Sequence, residues 1–166
     1  MLNLNYVTLA AAYRRYAAVA PAALREALGW SAYSSTPAYA RNGAVLTSLA
    51  LLSAGVPLSG PLRIEAGPLA GRKVQNGANR LADWLAAHHK TPEMLPVDVG
   101  LAGVADLLFG RRGIVAFIQG SGPAGGSIAL LDGRNAAAAC IAAEQASAGS
   151  SLLGGLLIHG GHGQPP

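Results

Sequence analysis

The chain has a single cysteine, Cys140, which excludes an internal disulfide and a multi-cysteine zinc site. Aromatic residues are scarce at 5% while half the chain is apolar, so alanine and leucine must fill the core and elements are expected to approach closely. Charged residues make up 12%, about half the usual share. The net charge of +4 comes from scattered bases, Arg14 with Arg15, Arg72 with Lys73, and Arg111 with Arg112. No basic stripe interleaved with aromatics is present, which argues against nucleic acid as a partner. The mild basicity suits an anionic polymer such as a bacterial wall. No uninterrupted apolar run is long enough for a membrane-spanning helix, and "SSLLGGLLIHGG" is too short and glycine-rich to be one. The opening "MLNLNYVTLAAAYRRYAAVAP" places its arginines after the apolar stretch, unlike a signal peptide. Export would need a dedicated machine.

What is present fits one domain over residues 1–166, with a mobile glycine-rich tail expected from about 159. Apolar spacing predicts a helix over Tyr6–Ala20 ending at Pro21, and a short one over Ala22–Leu28 stopped by Gly29. "WSAYSSTPAYARNG" reads as a turn-rich loop. Asn42 is a candidate N-cap for the compact buried helix "GAVLTSLALLSAGV", with Gly55 as its left-handed terminator. "PLSGPLRIEAGPLAGRKV" reads as irregular, and Gln75–His89 as an amphipathic helix with Leu81, Trp84 and Leu85 on one face. Val99–Phe109 is a short helix or strand; strands follow over Gly113–Gln119 and Ser127–Leu131, then a helix near Ala136–Ala146. The fold class is α+β, N-terminal helices packed on a mainly antiparallel sheet.

Gly120, Gly122 and Gly125 lie at G-x-G-x-x-G spacing between the two strands. A dinucleotide fingerprint needs a helix after that turn, its N-terminus facing the pyrophosphate. "SIALLDG" is short and of strand character, so the loop is a hairpin connection and no nucleotide cofactor is expected.

The same stretch, "GRRGIVAFIQG...GGSIALLDG", resembles a segment of the fourth family of type VI secretion amidase effectors, where a Gly-His-Ile-Asp-Leu-Trp-Asn/Asp-Gly strand follows a basic pair and an apolar strand. "NGAVLTSLALLSAGV" is similar to that family's Asn-x-Cys-Ala-Ile/Val-Arg-x-Ser-x-Ala-Leu-x-x-Ala-Gly-Ile/Val helix. "YVTLAAAYRRY" and "VQNGANRLADWLAAHH" resemble its first and middle helices, in the same order along most of the chain. The resemblance implies a papain-like cysteine hydrolase fold, delivered to a rival's periplasm, that cuts the γ-D-glutamyl to meso-diaminopimelate amide of peptidoglycan. Such chemistry needs a thiolate at a helix N-terminus, a histidine as base, and a third group to orient the imidazole. Carried over, these positions fall on Gly43, Ser127 and Ala129, none of which can do that work.

The resemblance therefore implies a degenerate site with no catalytic residue, no cofactor and no metal, in which Asn42 and Ser127 line a groove made wider by small side chains. Its ligand would be a peptidoglycan fragment or a protein partner, an immunity or secretion component. The alternative is an active toxin with relocated chemistry, since fold does not set function; a membrane-active toxin is a lesser reading. Replacement groups are few. Cys140 lies inside an alanine-rich helix, as a small inert hydrophobe. His88 and His89 end a helix, where cations oppose the dipole. His159 and His162 have i, i+3 spacing in the tail. Thr47 and Ser48 hydroxyls are expected to bond the preceding turn, and Asp132 to serve an Asp-Gly turn.

Overall fold

The computed structural model describes residues 4–89, 91–119, 125–147 and 152–159. Asn5 caps α1 (Tyr6–Ala17) by accepting from the Thr8 amide at 3.1 Å. Pro21 then starts α2 (Pro21–Ala27) at the first helical position, where its missing N–H is no loss. Asn42 caps α3 (Gly43–Ser53), accepting from the Val45 amide at 2.8 Å, and Gly55 ends it at φ +86°. Nearly every α3 side chain is buried, from Ala44 to Leu52, so this helix is the axle of the N-terminal half.

Residues 57–74, read as irregular, contain a two-residue antiparallel pair, β1 (Leu62–Arg63) with β2 (Lys73–Val74). α4 (Ala78–His88) carries Leu81, Ala82 and Leu85 into the core. β3 (Glu93–Leu95) precedes α5 (Gly100–Leu108), which settles the segment at Val99–Phe109 as helix. β4 (Arg112–Gln119), β5 (Ser127–Asp132), α6 (Ala136–Ser147) and β6 (Leu152–His159) complete the chain.

β4 and β5 form the expected antiparallel hairpin, with Phe117 opposite Ser127 and Arg112 opposite Asp132. Gly120 and Gly122 lie outside the described residues. β6, which falls where no strand was expected, is central: the sheet order is β3-β6-β4-β5, every described pairing antiparallel. The strand reaches His159, and the expected mobile tail beyond it lies outside the described residues.

Strand alternation then divides the core. Ile114, Ala116, Ile128 and Leu130 pack with α1, α3 and α4 on one face. Val115, Phe117, Leu131 and Leu157 pack with α5 and α6 on the other. The fold is α+β as expected, but helices cover both faces, because the α5 and α6 residues Val104, Leu108, Ala139, Cys140 and Ala143 bury a second apolar layer.

Candidate functional site

The fold brings Gly43 and Ser127 onto touching elements, the first residue of α3 and the first of edge strand β5. They do not meet through side chains. A Cβ built on Gly43 would overlap the Ile128 carbonyl oxygen and lie 3.2 Å from its carbonyl carbon. The helix start is thus seated on the strand's main chain. The wide cleft expected from small residues is replaced at this point by backbone contact, because the absent side chain lets the two elements close together.

Ser127 stands opposite Phe117, and Ala129 opposite Val115. Both partners belong to the α5/α6 layer, and Ala129 packs against it. Alternation places Ser127 on that face too, away from α3. Ser127 and Ala129 are half-buried; Asn42 is exposed.

Other groups finish closing the β5 edge. The Tyr6 hydroxyl donates to the Leu131 carbonyl at 2.6 Å, and the Asn135 side-chain amide donates to the Leu130 carbonyl at 2.8 Å. The Tyr13 hydroxyl is hydrogen-bonded with the Leu130 backbone. Burial pushes both tyrosine hydroxyls above the ordinary value; for Tyr6 the nearby Asp132 adds to the rise while Arg14 and Arg112 oppose it. These hydroxyls are held neutral as structural groups, and they shield an edge that would otherwise invite pairing. Sequence reading missed them, although their i, i+7 spacing on one face of α1 was a usable signal.

Polar side chains around the α3 start are turned to the protein's own backbone. Asn42 Nδ2 donates to the Asn76 carbonyl at 3.3 Å, and Asn76 Nδ2 to that of Ala38 at 2.9 Å. Arg41 donates to the carbonyls of Ala17, at 3.0 Å, and Val19. Ser48 Oγ donates to the Gln75 carbonyl at 2.8 Å rather than to its preceding turn, because segment 75–77 lies against α3. Thr47 Oγ1 is buried without a hydrogen-bond partner among the described residues, so the back-bonding expected of this pair fails for both. Asn79 ties the hairpin base: its amide donates to the Gly125 carbonyl at 3.2 Å and its Nδ2 to that of Gln119 at 3.1 Å. Gly126 adopts φ +84° there, with no room for a Cβ against Asn79 and Phe117.

Among the described residues the groups considered for replacement chemistry lie on different elements, Cys140 in α6 and His88 and His89 at the end of α4. Cys140 is buried within α6, and burial pushes its thiol up, the opposite of an activated thiolate. The exposed His88 stacks on Trp84 with ring centres 4.2 Å apart, and its Nδ1 lies 2.8 Å from the Trp84 carbonyl. His89 is buried at the α4 C-cap. His162 lies outside the described residues, as does the side chain of His159. Among the described residues no three His, Cys, Asp or Glu side chains are grouped to hold a metal ion. Asp132 Oδ1 accepts from the Arg134 and Asn135 amides, the turn role expected of it.

Helices seated on an antiparallel sheet, with a buried helix beginning against the edge strand of a hairpin, make an α+β architecture whose solved structural neighbours have the papain-like amidase fold. In particular, the chain is similar to the effector Tae4 of Salmonella typhimurium, solved as an effector–immunity system with Tai4. The TM-score is 0.67 at 14% identity, covering 96% of this chain and 99% of that one. The same effector in complex with the immunity protein Tai4 from Enterobacter cloacae gives a TM-score of 0.63 at 14% identity, covering 95% and 99%. At this identity the likeness establishes the fold. No protein-family model matches the chain, and no curated protein does. Among the described residues no helix is long and apolar enough to cross a membrane.

Proposed function

We propose that this protein is an amidase-effector-like component of type VI secretion in interbacterial antagonism that does not hydrolyse peptidoglycan and works by binding. Its ligand is a wall fragment or a protein partner, an immunity or secretion component. The observation that carries the reading is the seat of Gly43 on the Ile128 carbonyl. The position that resembles the family's nucleophile has no side chain, and main chain fills the space one would take. Ser127, at the histidine position, has no basic nitrogen with which to activate a nucleophile. Backbone donors and binding alone leave only a small remnant of such catalysis. The solved Tae4 structures are complexes with an immunity protein, which supports a protein partner for this scaffold. On this reading the protein is made in the bacterial cytoplasm and carried to the target-cell periplasm by the secretion machine.

The test is muropeptide chromatography of purified sacculi incubated with the protein, with an active amidase effector as positive control. An unchanged profile, together with co-sedimentation with sacculi or capture of a partner encoded beside it, is the expected result. Cleavage of the D-glutamyl bond by the unaltered protein overturns the proposal and returns attention to Cys140 and the histidines.

A further inference from the structure

Away from the α3–β5 seam, the end of α1, α2 and the loop over residues 66–69 line a half-open cavity of about 330 Å³. Its wall includes Tyr16, Leu24, Ala27, Leu28 and Leu69, and its only charged lining residue is Arg15. None of the lining belongs to α3 or β5. The walls are fixed by the fold. The Glu65 amide donates to the Leu28 carbonyl at 2.9 Å, and Gly67, at φ +84°, sits so close to α2 that a Cβ on it would lie 3.1 Å from the Ala27 carbonyl oxygen. A preformed apolar cavity of this size with one placed polar group has the character of a small-molecule site.

We propose that this cavity binds a free medium-chain carboxylate, its alkyl chain inside and its head group on Arg15. The lining decides the chemistry. A peptide lying here would leave backbone N–H and C=O groups without partners, whereas an alkyl chain has none to satisfy. Arg15 forms no ion pair among the described residues, and its guanidinium stands 5.1 Å from the centre of the Tyr16 ring at the cavity wall. A guanidinium matches a carboxylate in two parallel hydrogen bonds. A cavity of this volume suits a medium-length chain, at the small end of the range for ligand pockets.

Isothermal titration of the whole protein with octanoate, decanoate and dodecanoate, each below its micelle concentration, tests this. Dodecyltrimethylammonium serves as the cationic control. The Kd should fall about fourfold for each added methylene until the cavity is full, and the ammonium should bind at least tenfold more weakly than dodecanoate. Ala27→Trp, at an exposed α2 position, should abolish binding of every chain length, and Arg15→Glu should reverse the head-group preference. An affinity independent of chain length, or equal for the two head groups, overturns the proposal on the unaltered protein whatever the variants do. So does binding to phosphatidylglycerol vesicles without binding to free carboxylates, which would assign the surface to a membrane.

Discussion

Gly43 meets Ile128 through backbone alone: the α-carbon of the first α3 residue faces the strand's carbonyl with no space for a side chain between them. Gly43→Ala must push α3 and β5 apart, since the obstacle is main chain and cannot rotate away. Overpacking of this kind destabilises by about 1–3 kcal/mol. Gly154, in β6, has nothing within 4 Å of a built Cβ and no positive φ. Gly154→Ala there should leave stability unchanged or raise it by up to about 1 kcal/mol, through the unfolded chain. Urea unfolding of the two variants distinguishes a specific closure at Gly43 from a general intolerance of alanine for glycine.

The α3 start should also respond to its cap. Asn42 accepts from the Val45 amide at 2.8 Å and donates to the Asn76 carbonyl at 3.3 Å. Asn42→Ala removes both, with an expected loss of about 1 kcal/mol. Asn42→Asp keeps the acceptor at a helix N-terminus, where negative charge is favourable, and should recover most of that loss in the same urea measurement.

Alkaline pH should weaken the fold through the groups that burial holds neutral. The Tyr6 and Tyr13 hydroxyls are raised above their ordinary 10.0, and the Cys140 thiol above 9.0, in each case chiefly by desolvation. A raised value in the folded state means that its stabilising contribution is fully present below the unfolded value. It is lost as pH climbs through the folded one, because the unfolded chain releases its proton first. Urea midpoints should therefore be level from pH 7 to about pH 9 and fall beyond about pH 10. Tyr13→Phe should flatten part of that fall. Alkylation of Cys140 at pH 8 should be slow in the folded protein and fast in urea; equal rates would contradict its burial.

What could be read from the chain was what local chemistry fixes. Asn42 and Gly55 bracket α3 by capping and by left-handed φ, and the β4–β5 hairpin follows from two strand-like runs about a turn. The resemblance pointed to Gly43 and Ser127, and the fold brings the elements that carry them into contact. Their closure was not legible, since a glycine in the sequence is equally consistent with an open cleft and with a backbone that moves in. The choice is made by Ile128, 85 positions further along the chain. β6 escaped for another reason. "LLGGLLIH" has neither alternation nor a clean helical period, because a strand covered on both faces needs no polar side. Gly154 and Gly155 also read as punctuation although they pair with Ile118 and Phe117 inside the sheet.

That central placement makes β6 the sharpest test of the architecture. It joins β3 on one side, with Leu95 opposite Gly155, to β4 on the other, with Val115 opposite Leu157. Leu157 is fully buried between α5, α6 and the sheet. A chain ending at residue 151 would lose the Leu157 side chain, every β3 ladder bond, and the partner of one whole edge of β4. Unpaired buried N–H and C=O groups each carry a penalty of about 1–3 kcal/mol, and a leucine-sized core deletion adds about 2–5 kcal/mol. Together these approach or exceed the whole stability of a domain of this size. The shortened protein should show no cooperative thermal transition by circular dichroism, whereas a chain ending at His159 keeps all of β6 and should retain one. A cooperative transition in the chain ending at 151 would mean that the sheet is organised around some other strand.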